Sequence, residues 1–389
     1  MASSLLLHPS HPDSTLATER TGPHLAEGPT ARYLQQLLDR AIQTRASDIH
    51  IHPCREGLSI RLRIDGLLIE EPPPPSLVAE ALPIRIKAMA GIDIAEKRQP
   101  QDGYWMTSTG NHTSHRVELR VSTLPSSHGE NIVMRLVRST HQLQKLHDLG
   151  MQPSMVQNLR QLLTHPQGLI LVTGPTGSGK SVTLYALLRE LHASSRHILT
   201  IEDPIEQAID GVTQVQVNEK TGLTFQTALR AFLRQDPDVM LVGEIRDHAT
   251  ANMAIEAAMT GHLVLSTLHT NDAASALWRL EKLGIQRESL ASSVTAVLAQ
   301  RLVRTFCDEC HGTGCSHCHQ TGLRGRMGVY EALCMNRHLR TSYAAGMGLE
   351  DWRQQLRANG ISSLMEQALL SVQAGMTPMS EVAREIPKD

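Results

Sequence analysis

Apolar positions in the first third of the chain change period twice. In ARYLQQLLDRAIQ, Leu34, Leu37, Leu38 and Ile42 recur at three- and four-residue steps, which predicts an amphipathic helix from about Thr30. DIHIHP and LSIRLRIDG then alternate apolar with polar, the pattern of half-buried strands, and the proline run at 72–75 marks a surface break. Beyond it SLVAEALPIRIKAMAGI reads as one or two helices, and HRVELRVSTLP and ENIVMRLV as a second pair of strands. These predict a first α/β module over 31–138, preceded by a flexible tail, 1–30, rich in Ser, Thr, Pro and His. A polar connection, 139–152, leads to a helix at 153–164. From Gly168 the pattern becomes continuous apolar runs separated by helical segments: GLILV, ILTI, VMLV and HLVLSTL. That alternation predicts a parallel sheet covered by helices, so the second module, 153–389, is α/β, closing with polar amphipathic helices.

Composition narrows the class. Hydrophobic residues are 41% and charged residues 20% of 389, ordinary for a globular chain. With 37 basic against 39 acidic residues and 3% aromatics, no basic or stacking surface announces a nucleic-acid partner, and none is expected. The apolar runs are strand-sized, far short of the roughly 20 residues that span a bilayer. The N-terminus lacks a basic n-region followed by an apolar stretch, so it does not read as a signal peptide. A cytoplasmic location is the expectation, with any membrane association peripheral, and in such a reducing compartment clustered cysteines hold metal more often than they form disulfides.

The candidate chemistry begins at GPTGSGKS, 174–181, which fits G-x-x-x-x-G-K-[ST] between an apolar strand and a helix. Gly174, Gly177 and Gly179 let the backbone of Gly174, Pro175, Thr176, Gly177, Ser178 and Gly179 curl so that its N–H groups face phosphate oxygens. The helix beginning at Lys180 adds the positive end of its dipole. Lys180 is expected at the β- and γ-phosphates of ATP and the Ser181 hydroxyl on Mg2+. Glu244, ending the strand in DVMLVGEIRD, is the candidate to activate water, because active sites of open α/β sheets lie at the carboxyl ends of strands. LTIEDPIE puts Glu202, Asp203 and Glu206 at the end of another strand; one or more should polarise water or hold Mg2+, and at least one should be only a cap or surface charge. His262 and His269 flank HLVLSTL, where one at the strand end could sense the γ-phosphate.

The ordered set GPTGSGKS, LTIEDPIE, LRQDPDVMLVGEIRD and TGHLVLSTLHTND resembles the Walker A, Asp, Walker B and His boxes of the ATPases of type II secretion and type IV pilus assembly. SDIHIHP, RLRIDG, PQDG and LRVSTLPSSHGENIVMRL resemble that family's second N-terminal domain, so the likeness runs from about residue 45 to 335. It implies a RecA-like ATPase domain after a smaller PAS-like α/β domain, assembled as a homo-hexamer. It further implies an inner-membrane platform protein and pilus or secretion components as partners. Arg120 and Arg135 match arginines that reach the phosphates in that family, and Arg230 and Arg234 match a further pair; arginine offers a permanent charge and a fixed fork of donors. Competing readings are a DNA-translocating RecA-like motor, a pilus retraction or DNA-uptake ATPase of the same superfamily, and a non-hydrolysing scaffold.

Four of the six cysteines lie within CDECHGTGCSHC. Cys307-x2-Cys310 and Cys315-x2-Cys318 are two knuckles, a tetrahedral Zn2+ signature whose four thiolates leave no open position, so a structural site at 307–318 is expected. Assembly-type relatives resemble this, with a longer excursion between the pairs; here only His311 to Gly314 intervene, and His311, His317 and His319 are alternative ligands.

Overall fold

The computed structural model describes residues 28–108, 116–138, 144–192 and 195–387. The tail expected over 1–30 lies, up to Ala26 and Glu27, outside the described residues. The chain divides into two compact units, 1–139 and 140–389.

Among the described residues the first unit is one helix pair and one sheet. Helix α1 (Pro29–Gln43) starts with proline in its first turn, where no N–H partner is needed, and buries Leu34, Leu37, Leu38 and Ala41. Strands β1 (Asp48–Cys54), β2 (Gly57–Ile64) and β3 (Leu67–Glu71), helix α2 (Ser76–Met89), and strands β4 (Gln101–Ser108), β5 (Arg116–Ser126) and β6 (Gly129–Arg138) follow. The sheet order is β3-β2-β1-β6-β5-β4, and every pairing is antiparallel. One face carries Ile49, Ile51, Ile60, Leu62, Leu119, Val121, Ile132 and Met134 into a core shared with Leu82 and Ile86 of α2. Alternation therefore turns Asp48, Arg63, Arg120 and Arg135 to the other face. Strands β3 and β4 were not expected: LLIEE is short, and QDGYWMTS is broken by a glycine and polar residues.

The second unit is a sheet between two helical layers. Helix α3 (Pro153–Leu162), strand β7 (Gly168–Thr173), helix α4 (Lys180–Leu191), strands β8 (Ile198–Glu202) and β9 (Thr213–Gln216), helix α5 (Phe225–Phe232) and strand β10 (Val239–Val242) come first. Helix α6 (His248–Met259), strand β11 (Leu263–Leu268), helices α7 (Ala273–Lys282) and α8 (Arg287–Ser293), strands β12 (Val294–Phe306) and β13 (Leu323–Cys334), and helices α9 (Arg337–Ala344), α10 (Leu349–Ala358), α11 (Leu364–Gln373) and α12 (Met379–Glu385) complete it. The order is β13-β12-β7-β11-β10-β8-β9, parallel except for the β12–β13 pair. Strands β7, β8, β10 and β11 are buried at every position, as helices on both faces require. Separate apolar clusters fill the two layers. Within 139–152, read from sequence as a polar connection, Leu146, Leu149 and Met151 pack into one of these clusters, and the Tyr330 hydroxyl donates to the Leu149 carbonyl at 3.2 Å.

Strands β12 and β13 were not expected from the sequence, whereas the closing helices were, and α9 to α12 supply them. The two strands pair over most of their length, and the cysteine patch is the connection between them.

Candidate functional site

Strand β7 delivers the chain into 174–179 at the carboxyl edge of the sheet, and α4 begins at Lys180. Gly174, Gly177 and Gly179 all have positive φ. A side chain at Gly174 would meet the Gln300 carbonyl at 2.5 Å, and one at Gly179 the Gln300 amide nitrogen at 2.7 Å, so the glycines are needed for space as well as conformation. The loop is braced from below: Thr183 donates to Gln300 Oε1 at 2.7 Å, and the Thr173 hydroxyl lies 2.6 Å from that of Thr270 beyond β11.

Lys180 folds back over its own loop, Nζ donating to the carbonyls of Gly174 at 2.9 Å and Pro175 at 3.0 Å. Burial pushes its pKa down to about 8; Glu244 opposes this and the charge of Arg301 reinforces it. The Ser178 hydroxyl is buried without a hydrogen-bond partner, a polar group aimed into the loop that a phosphate oxygen would satisfy. Ser181 is exposed one residue past Lys180.

Glu244 is largely buried just beyond β10 and is paired with Arg246. Its other oxygen is 3.7 Å from His269 Nε2. Burial and then the Lys180 charge hold the His269 pKa below its ordinary value, so the ring is neutral near pH 7. The Glu244 hydrogen bond chiefly raises the Arg246 pKa, with Asp203 and Glu219 adding to it. Lys180, Glu244, His269 and, by its field, Asp203 thus meet at one edge. Arg246 and Arg301 are additions that sequence reasoning missed. The signal for Arg246 was a cation two residues past Glu244, and for Arg301 only a charge within the largely apolar run VTAVLAQRLV; Arg301 is buried and donates to the Asn271 carbonyl at 3.1 Å.

The remaining sequence candidates separate. Glu202 is buried and engaged by three protein donors, the Tyr185 hydroxyl, Thr200 Oγ1 at 2.6 Å and Gln214 Nε2 at 3.1 Å, so it anchors rather than presents a free base. Asp203 and Glu206 are exposed on the segment that follows. His262 lies just before the amino end of β11, seven residues from His269 and at the other end of that strand, its Nδ1 3.1 Å from the Ala257 carbonyl. Arg230 and Arg234 are exposed on and just after α5, Arg234 donating to the Arg230 carbonyl at 2.8 Å.

In the first unit, Arg63, Asp48, Arg135, Arg120 and Tyr104 occupy one cross-strand row over five adjacent strands. The Asp48 carboxylate stands between two arginines, 3.0 Å from Arg135 Nε and 3.8 Å from Arg63 Nε. Arg120 Nε pairs with Glu118 at 2.9 Å.

The four thiols of Cys307, Cys310, Cys315 and Cys318 lie within 4.8 Å of one another, with sulfur separations of 3.9, 3.7 and 3.7 Å among neighbouring pairs. A tetrahedral ion with metal–sulfur bonds of about 2.3 Å puts its sulfurs about 3.8 Å apart, so the donor set fits one soft cation despite its short spacing. Backbone N–H groups of Gly314 and Gly322 point at Cys310 and Cys318 sulfurs at 3.3 and 3.2 Å, which suits thiolates. Among the described residues no histidine joins this group.

A glycine-turned phosphate loop on a parallel sheet, with a strand-end glutamate beside its lysine, defines a P-loop ATPase of RecA-like architecture. The family model described as "Type II/IV secretion system protein" matches residues 24–384, and the chain belongs to that family. It is 45% identical over 383 residues to the type II secretion system ATPase E of Vibrio cholerae, covering 92% of this chain and 75% of that one. It is 39% identical to the type IV pilus assembly ATPase PilB of Thermus thermophilus, covering 92% of this chain but only 43% of the longer relative. Among solved structures, the pilus retraction motor PilT with bound ADP superposes with a TM-score of 0.64 at 26% identity, over 90% of this chain and 96% of that one. The Legionella pneumophila ATPase DotB, at 24% identity and a TM-score of 0.73 over 92% and 97%, shares the fold. Among the described residues no helix is long and apolar enough to cross a membrane.

Proposed function

We propose that this chain is an ATP-hydrolysing motor, working as a homo-hexamer against an inner-membrane platform protein, that powers assembly of pseudopilin or pilin fibres. The observation that carries the reading is the meeting of Lys180, Glu244 and His269 at the mouth of the phosphate loop. Lys180 would exchange the Gly174 and Pro175 carbonyls for β- and γ-phosphate oxygens. Glu244 would take a proton from the water that attacks the γ-phosphorus as the bond to the β-phosphate breaks, giving ADP and phosphate. Neutral His269, 3.7 Å from Glu244, would report the γ-phosphate. Ser181, with Asp203 or Glu206, would hold Mg2+, which supplies charge neutralisation at the phosphates. Cys307, Cys310, Cys315 and Cys318 would hold one structural Zn2+, a closed set with no catalytic position. Assembly is favoured over retraction by the higher identity to the secretion ATPase than to the retraction motor, and by the tetracysteine element. Steady-state ATP turnover tests it: Lys180→Ala and Glu244→Gln should each fall by at least about 100-fold. Turnover in either variant equal to the wild-type chain would reject it.

A further inference from the structure

We propose that Tyr185 is a positioning residue for hydrolysis, fastening the acidic segment 203–209 to the phosphate-loop helix. Tyr185 lies five residues past Lys180 on α4, buried, at the point where that helix faces the end of β8. Its hydroxyl donates to Glu202 Oε2 and accepts from the backbone N–H groups of Glu206 at 3.1 Å and Gln207 at 3.4 Å. Burial and the Glu202 hydrogen bond raise its pKa, so the phenol keeps the proton it donates.

The segment it holds, DPIEQAI, has no regular structure of its own yet carries Asp203 and Glu206. A second clamp grips it from the other side: Gln214 on β9 accepts from the Ile209 N–H at 2.7 Å and donates to the Gln207 carbonyl at 3.0 Å and to Glu202 Oε1 at 3.1 Å. Glu202 is the hub at which both clamps meet, Tyr185 on one oxygen and Gln214 on the other, which Thr200 shares. The phosphate-loop helix and the acidic segment are thereby one hydrogen-bonded body, so the two acids are set relative to Lys180 through the Tyr185 oxygen. Loss of that oxygen releases the acids without touching the loop that binds phosphate.

The inference rests on the ATPase reading above. The full-length chain carrying Tyr185→Phe, which keeps the ring and removes the oxygen, is compared with wild type in steady-state turnover and in direct binding of ADP. The expected result is a fall in kcat of about 10- to 100-fold with KM for MgATP and ADP affinity held within about twofold, because misplacement of reacting groups costs rate before it costs binding. Gln214→Met, alone and combined with Tyr185→Phe, should lower kcat in the same way and non-additively, since both act on one segment. If Tyr185→Phe does not fold, Gln214→Met carries the test alone. ATP turnover in the wild-type chain that Lys180→Ala abolishes establishes the ATPase independently. A Tyr185→Phe or, failing that, Gln214→Met chain with wild-type kcat then overturns the positioning role by itself.

Discussion

Lys180 shows how a single side chain is tuned by the turn that carries it. Two backbone carbonyls receive its ammonium in a half-buried setting, and its pKa stands at about 8 rather than near 10.5. Burial disfavours the charged form, and a bound polyphosphate restores it by opposite charge. The sign follows: below pH 8 the lysine is already protonated and binding is insensitive to pH through this group. Above pH 8 the free protein must take up a proton in order to bind. Nucleotide affinity is therefore expected to be level from about pH 7 to 8 and to weaken toward tenfold per pH unit above it. Calorimetric titration of ADP at pH 7.5 and 9 in buffers of different ionisation enthalpy measures both the affinity and the proton uptake. Lys180→Ala should bind weakly with no proton taken up. The same uptake in the alanine variant would assign the titration to another group. Much of this site was legible because GPTGSGKS and GEIRD are local patterns whose spacing encodes the geometry. The roles of Glu202 and Tyr185 were not, since they depend on which strand lies beside α4, a fact of topology that no local window contains.

Among elements, the parallel strands were legible as continuous apolar runs and the β12–β13 hairpin was not. No glycine or proline separates α8 from β12, and the stretch VTAVLAQRLV, buried nearly throughout, carries no alternation to betray a strand. Its consequence is that the cysteine patch closes a hairpin on the edge of the ATPase sheet, joining Phe306 to Leu323, where β12 shifts register. Folding of that connection has few other resources: Cys307 and Cys318 are buried, and the peptide between them forms only short turns. One zinc per chain is expected by elemental analysis, and Cys310→Ser should lose it and lower the thermal midpoint by on the order of 10 °C. Because the thiols lie on a connection and the phosphate loop is built on the central strand β7, ADP affinity measured well below that midpoint should be retained. A metal-free Cys310→Ser chain that melts with the wild type would remove the structural role.

At the scale of the whole molecule, two independently cored units divide the proposed labour. The second holds the phosphate loop, Glu244 and His269; the first offers the cross-strand row of Arg63, Asp48, Arg135 and Arg120. Asp48 is buried while the Arg135 side chain paired to it is 65% exposed, so the carboxylate fixes the guanidinium at its base and leaves its outer face to solvent. A pair made only for stability would contribute about 0–1 kcal/mol in so exposed a position. The family resemblance assigns Arg135 to the phosphates, and a residue that meets charge developing only in the transition state is felt in turnover far more than in binding. Arg135→Gln is expected to lower kcat by about 100-fold or more, with ADP affinity to the second unit changed much less. Arg40→Gln is the control, since it breaks a comparably placed 2.9 Å pair with Glu71 at the far edge of the same unit and should leave kcat unchanged. A loss shared equally by Arg40→Gln and Arg135→Gln would mean that the sheet is merely being loosened. Wild-type turnover in Arg135→Gln would return the arginine row to the ordinary ion pairing of an exposed sheet face.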